Sequence, residues 1–301
     1  MAHLLHNDTW RVSVLPETAG SLASAHICVD GVWCDFMRPT ASDLQHDPLA
    51  CASYLLSPWS NRIRDAQFRF AGESYQLRPS FPDGTAIHGA ARHFPWQVVQ
   101  ASETRIELLF DSRQHEQVNF PFAFQTWVEY VLEGRAFRTR MGLKNLDARP
   151  MPAGFGTHPM IQRTLTSPSD TLMLRLPFHT AYPLSNCLPT GAPVAVDDRL
   201  DYRELRAAGQ VFVDDCLTGR EPGAAVEFVY AESGTRIVHA MDDLYTHLVV
   251  YMPVGDSFIA VEPVTNANDG FNLCDQGQDG HGVLVLAPGA QAEAWSGYTL
   301  Q

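Results

Sequence analysis

Short runs of β-branched and aromatic residues, broken by turn signals, recur along this 301-residue chain and continue to its last residues. No window sustains a 3.6-residue apolar period for long, so the pattern restricts the chain to an all-β architecture. Alternating stretches such as Arg105–Phe110, Thr126–Val131, Thr171–Leu176, Ala225–Tyr230, His247–Met252, Gly282–Leu286 and Ala294–Leu300 read as half-buried strands. Pro82-Asp83-Gly84, Glu133-Gly134 and Pro288-Gly289 mark turns between strands, and Tyr202–Arg206 is the segment expected to form one helical turn. Many strands, short turns and very little helix predict a large antiparallel β-sandwich. With no repeat or linker in view, residues 1–301 are read as a single domain.

Composition narrows the function. A formal net charge of −13 repels nucleic acid and anionic membrane surfaces, and a strongly anionic substrate would need a local basic pocket. The opening residues carry neither a basic region nor an apolar stretch, and no later run spans a bilayer, so a cytoplasmic location is expected. Lys144 is the one lysine and lies outside any Gly-x-x-x-x-Gly-Lys context, which removes a P-loop. Dinucleotide, zincin and α/β-hydrolase signatures are missing too; Gly255-Asp256-Ser257 is read as a turn between strands. The six cysteines form no Cys-x-x-Cys pair and the twelve histidines no His-x-His pair, so no metal site is expected.

Several polar clusters framed by Gly, Pro and apolar residues remain: Asn61-Arg62-Ile63, Ile87-His88-Gly89, Gly154 to Pro159, and Glu262-Pro263-Val264-Thr265. Each is read as setting an ionisable residue at a strand end. Pro159 biases His158 toward extended backbone, and Gly154 and Gly156 permit close approach of another chain or a ligand. Glu262 follows Phe258-Ile259-Ala260-Val261, apolar at every position, so its carboxylate is expected at the edge of the core, where a desolvated Glu suits a general base.

These segments resemble the aldose 1-epimerases, or galactose mutarotases. Asn61-Arg62-Ile63, followed by Phe68-x-Phe70-x-Gly72-x-x-Tyr75-x-Leu77, resembles the family's opening signature. His88-Gly89, Trp96, Gly154-x-Gly156-x-His158-Pro159, Pro189-Thr190-Gly191, the Val213–Leu217 segment and Glu262-Pro263-Val264-Thr265 follow in the family's order. The resemblance implies mutarotation of a free hexose or related aldose, with His158 as general acid and Glu262 as general base facing each other across a sugar-sized gap. It implies that Arg62 and His88 bind and polarise the sugar, that Asp214 or its neighbour Asp215 holds ring hydroxyls, and that no cofactor is needed. The partner is then a monosaccharide, and the protein a monomer or homodimer.

Met160-Ile161 after His-Pro and Ala90-Ala91-Arg92 after His-Gly depart from the family pattern. Arg92 or Arg64 would suit a phosphorylated or acidic sugar, so a hexose-6-phosphate 1-epimerase is the alternative, with a non-catalytic carbohydrate-binding protein a further one. A glycoside hydrolase needs paired carboxylates, which the sequence does not display. Trp96 and Phe155 are the aromatic candidates for stacking on a sugar face.

Overall fold

The computed structural model describes residues 2–301; Met1, where the segment read for a leader begins, lies outside them. About 48% of the chain is strand and 8% helix. Two antiparallel sheets, of 11 and 9 strands, face each other as a β-sandwich. The expected strand His247–Met252 has those limits, Arg105–Asp111 and Gln291–Leu300 run slightly longer than expected, and Leu284–Leu286 is shorter.

Aromatic side chains fill the space between the sheets. Trp10 meets Phe137 at 5.9 Å, and Phe36 meets Phe228 at 6.2 Å and Tyr298 at 5.1 Å. All five are buried, and taking each such ring out of water contributes roughly 1.5–3 kcal/mol.

The Tyr202–Arg206 segment is not helical. The Leu176 amide donates to the Tyr202 carbonyl at 2.6 Å, and Arg203 and Arg206 bond to Asp201 and to the Asp198 carbonyl, so the segment is held as a bend at Arg203 and Glu204 leading into the short strand Arg206–Ala207. Among the described residues the one α-helix is Gly270–Asp275, whose first turn is held by Leu273 N–H donating to the Asp269 carbonyl at 3.1 Å.

Five neighbouring strands of the larger sheet matter for function: Ser53–Leu56, Gly156–Gln162, Phe258–Val264, His247–Met252 and Val213–Arg220, in that lateral order. Their inward residues, among them Leu55, Ile161, Val261, Leu248 and Leu217, belong to the inter-sheet core. Their outward residues Tyr54, Met160, Ala260, Val249 and Cys216 form a second apolar cluster beneath the covering loops. A strand buried on both faces reads as a continuous apolar run, which accounts for Phe258–Val261.

Candidate active site

His158 and Glu262 lie inside strands rather than at their ends. The pairing of these two strands is interrupted between Gly156 opposite Val264 and Met160 opposite Ala260, with no shift of register. Pro159 and Pro263 fall in that stretch and bring no N–H to the ladder. The unchanged register sets His158 directly opposite Glu262. Their side chains meet on the outward face, His158 Nε2 to Glu262 Oε1 at 3.1 Å. The expected sugar-sized gap is thus closed to a direct contact, and the carboxyl sits 1% exposed rather than at the edge of the core.

Burial controls both ionisations. Loss of water pushes the Glu262 carboxyl well above the usual range, and the nearby Asp214 charge adds to this. The same loss takes the His158 imidazole down to about 3, with Arg38 contributing. Each shift disfavours charge, so burial favours the neutral form of both groups. A proton passed from such a carboxyl to such an imidazole can yield a carboxylate base and an imidazolium acid with no exchange with solvent.

A cavity of about 300 Å³ opens over the pair. Its floor comes from the five strands through Tyr54, His158, Met160, Glu262, Val249, Tyr251 and Asp214, and its wall from loops carrying Leu49, Asn61, Arg62, Phe81, Ile87 and His88. The loop wall is tightly determined. Arg62–Ile63 pairs with Ala86–Ile87, and the His88 amide donates to the Asn61 carbonyl at 2.9 Å, which brings two sequence-distant motifs together. His88 holds φ +61°, and a Cβ on Gly89 would lie 2.0 Å from the Ser57 carbonyl oxygen, so only glycine lets the chain turn here. Asn266 fastens the other side: the Ser60 amide and hydroxyl donate to its Oδ1 at 3.2 and 3.1 Å, and a Cβ on Gly154 would fall 1.9 Å from that atom.

Arg62 Nε donates to Asp83 at 2.9 Å while its guanidinium lies over the Phe81 ring. His88 is buried, and loss of water, with His158, Arg92 and Arg62 nearby, holds its pKa well below the usual value. Asp214 lines the cavity, accepts from the Cys187 thiol at 3.1 Å, and has its pKa raised by burial. Asp215 does not line it. One residue along a strand reverses the side chain, and Asp215 is bound by Arg199 through contacts of 2.6 and 3.0 Å.

Trp96 and Phe155 are buried away from the cavity, whose aromatic residues are Tyr54, Phe81 and Tyr251. Tyr54, unmarked by any motif, stacks on the His158 ring with centroids 4.4 Å apart and meets the His88 ring edge-on at 5.6 Å. Arg64 is paired to Asp269 at 3.2 Å. A larger cleft of about 630 Å³ lies near His179, Asp201 and Arg203, and four of its charged side chains pair with one another, Arg203–Asp201 at 2.6 Å and His179–Glu221 at 3.3 Å. Among the described residues no three His, Cys, Asp or Glu side chains group as a metal site, and no helix is long and apolar enough to cross a membrane.

Fold and cavity define an antiparallel β-sandwich with an imidazole–carboxyl pair sunk in the outer face of one sheet. The family model described as aldose 1-epimerase matches residues 31–299, and the chain belongs to that family. The uncharacterized protein YihR of Escherichia coli is 23% identical over 228 residues, covering 75% of this chain and 73% of YihR. Two solved structures share the fold. A galactose mutarotase-like protein from Clostridium acetobutylicum has a TM-score of 0.86 at 20% identity, covering 99% of this chain and 94% of its own. A putative aldose 1-epimerase from Escherichia coli has a TM-score of 0.84 at 17% identity, covering 100% and 99%.

Proposed function

We propose that this protein is an aldose 1-epimerase that interconverts the α and β anomers of a free hexose or related aldose. The single observation that carries the reading is the His158–Glu262 contact of 3.1 Å at the floor of the cavity. Ring opening removes a proton from the C1 hydroxyl, breaks the bond between C1 and the ring oxygen, and adds a proton to that oxygen. Both oxygens are attached to the same carbon, so the acid and base serving them must sit side by side, as these two do. Glu262 takes the hydroxyl proton and His158 delivers one to the ring oxygen; rotation about C1–C2 exposes the other carbonyl face, and the two groups reverse roles to close the ring. Arg62 and His88 donate to sugar oxygens as charge develops, and Asp214 accepts from ring hydroxyls.

The Asp214 carboxyl also shares the cavity, a pairing of carboxyls that the sequence does not display. The group in contact with Glu262 is nevertheless an imidazole, which favours anomerisation over glycoside hydrolysis. In this reading residues 1–301 are one cytoplasmic domain, monomeric or homodimeric, that needs no cofactor. The test is to dissolve a crystalline α-aldose and follow optical rotation with and without the protein. Faster relaxation to the same end point supports the assignment. Saturable sugar binding with unchanged relaxation would make the protein a carbohydrate-binding module instead.

A further inference from the structure

The Pro189-Thr190-Gly191 segment closes a small hairpin beside the cavity. Thr190 donates to the Pro183 carbonyl twice, from its amide at 2.9 Å and from its hydroxyl at 3.0 Å, and Leu184 and Ser185 pair with Pro189 and Leu188. A two-residue turn, Asn186-Cys187, is left at the tip. Both turn residues hold positive φ, +51° and +61°, the geometry of a hairpin turn whose second place glycine normally fills. A cysteine there is strained. The hairpin is also tied down from outside, by Asn268 Nδ2 donating to the Cys187 carbonyl at 2.8 Å and by Arg64 Nη2 donating to the Pro189 carbonyl at 3.1 Å. The side chain at this awkward position reaches the cavity, because its thiol donates to Asp214 Oδ2 at 3.1 Å. Asp214 is half-buried and lines the cavity from the strand Val213–Arg220. Among the described residues its carboxylate accepts no other hydrogen bond and forms no ion pair within 4.0 Å. Burial, with the Asp214 charge beside it, pushes the Cys187 thiol up to about 11, so the thiol keeps its proton through the neutral range. An arginine here would neutralise the carboxylate, whereas a thiol is a weak donor that orients it and leaves its charge whole for a ligand.

We propose that Cys187 is a positioning residue, whose thiol fixes the direction in which Asp214 presents its carboxylate to the hydroxyls of the bound sugar. It acts through Asp214 alone. This inference rests on the mutarotase reading and adds to it a residue that explains why the hairpin tip carries a side chain where glycine would be easier.

The experiment follows relaxation of α-D-glucose and α-D-galactose by optical rotation with the wild-type protein, Cys187→Gly and Cys187→Ser. Cys187→Gly removes the thiol while giving the turn the residue it favours, so loss of the fold does not obscure the result. Its KM is expected to rise about fivefold or more with kcat within about threefold, since an interaction with the bound sugar is loosened and the acid and base are untouched. Cys187→Ser still donates to the carboxylate and should bring KM back to within about twofold of wild type. In an Asp214→Ala background Cys187→Gly should lower kcat/KM no further, because the group it positions is gone. An unchanged KM in Cys187→Gly overturns the inference, as does a KM in Cys187→Ser raised as far as in Cys187→Gly, or an equal loss with Asp214 absent. No acceleration of either sugar by the wild-type protein overturns the mutarotase reading itself, and this inference with it.

Discussion

At Tyr54 a phenol ring lies flat against the His158 imidazole, 21° from parallel. His158 Nδ1 has no hydrogen-bond partner on any neighbouring residue, so the ring is oriented by Glu262 on one nitrogen and by this stack. Tyr54→Phe keeps the stack and is expected to keep kcat within about twofold. Tyr54→Leu frees the imidazole and admits water, with kcat expected to fall about tenfold or more. Its acid limb should also move upward from about 3 toward the ordinary histidine value of 6.5, because the desolvation that depresses His158 is relieved. A pH profile of kcat/KM reads both effects. In the wild type His158 should contribute no step near its ordinary value to that profile. His158, Glu262, Arg62, His88 and Asp214 were visible in the sequence because each stands in a recognisable segment. Tyr54 and Phe81 were not, since one aromatic residue in a strand or turn looks like core until the face it occupies is known.

The interrupted pairing around Pro159 and Pro263 belongs to the scale of elements. Prolines usually end or edge a strand. Here they lie in adjacent strands at nearly the same level, so both strands pass through, and a dipeptide that reads as a strand end becomes mid-strand. Sequence periodicity shows which residues share a face of one strand, but it carries no information on register between strands 100 residues apart. The contact between His158 and Glu262 was therefore beyond it. The Ser21–Val29 strand also went unread, because Ser21, Ala23, Ser24 and Ala25 have weak strand preference and the segment is held by partners on both sides. The loop that carries His88 depends on close backbone packing. Gly89→Ala, with its Cβ driven into Ser57, is expected to cost more than about 4 kcal/mol. Gly31→Ala, with similar φ but open space around it, should cost about 1–2 kcal/mol. Denaturant unfolding of the two variants checks the difference.

The whole molecule holds an unusual set of buried neutral histidines. Burial takes His158 and His239 to about 3 and His247 to about 4, all below the unfolded value of 6.5. Below pH 6.5 the unfolded chain binds protons that the native protein refuses, so stability is full above 6.5 and is lost as pH falls toward 4. Each such histidine contributes up to about 1.4 kcal/mol per pH unit. His239 stacks on Tyr298 at 4.1 Å with both ring nitrogens unpartnered. His239→Phe keeps the stack and should flatten the acid slope by about one proton, as measured by unfolding free energy from pH 7 to 4. At this scale the β-sandwich class was legible from strand spacing and scarcity of helix, whereas the depth at which these histidines lie was not, since it follows from which strands become neighbours.

A double-mutant cycle on Glu262→Gln and His158→Asn, read as anomer relaxation by optical rotation, tests the proposed acid–base pair most directly. Each single variant is expected to lose roughly 10²–10⁴-fold in kcat, and the double variant to be little worse than the poorer single one, because the two groups work as one unit. A Glu262→Gln protein within a few-fold of wild type, or losses that simply multiply in the double variant, would contradict it.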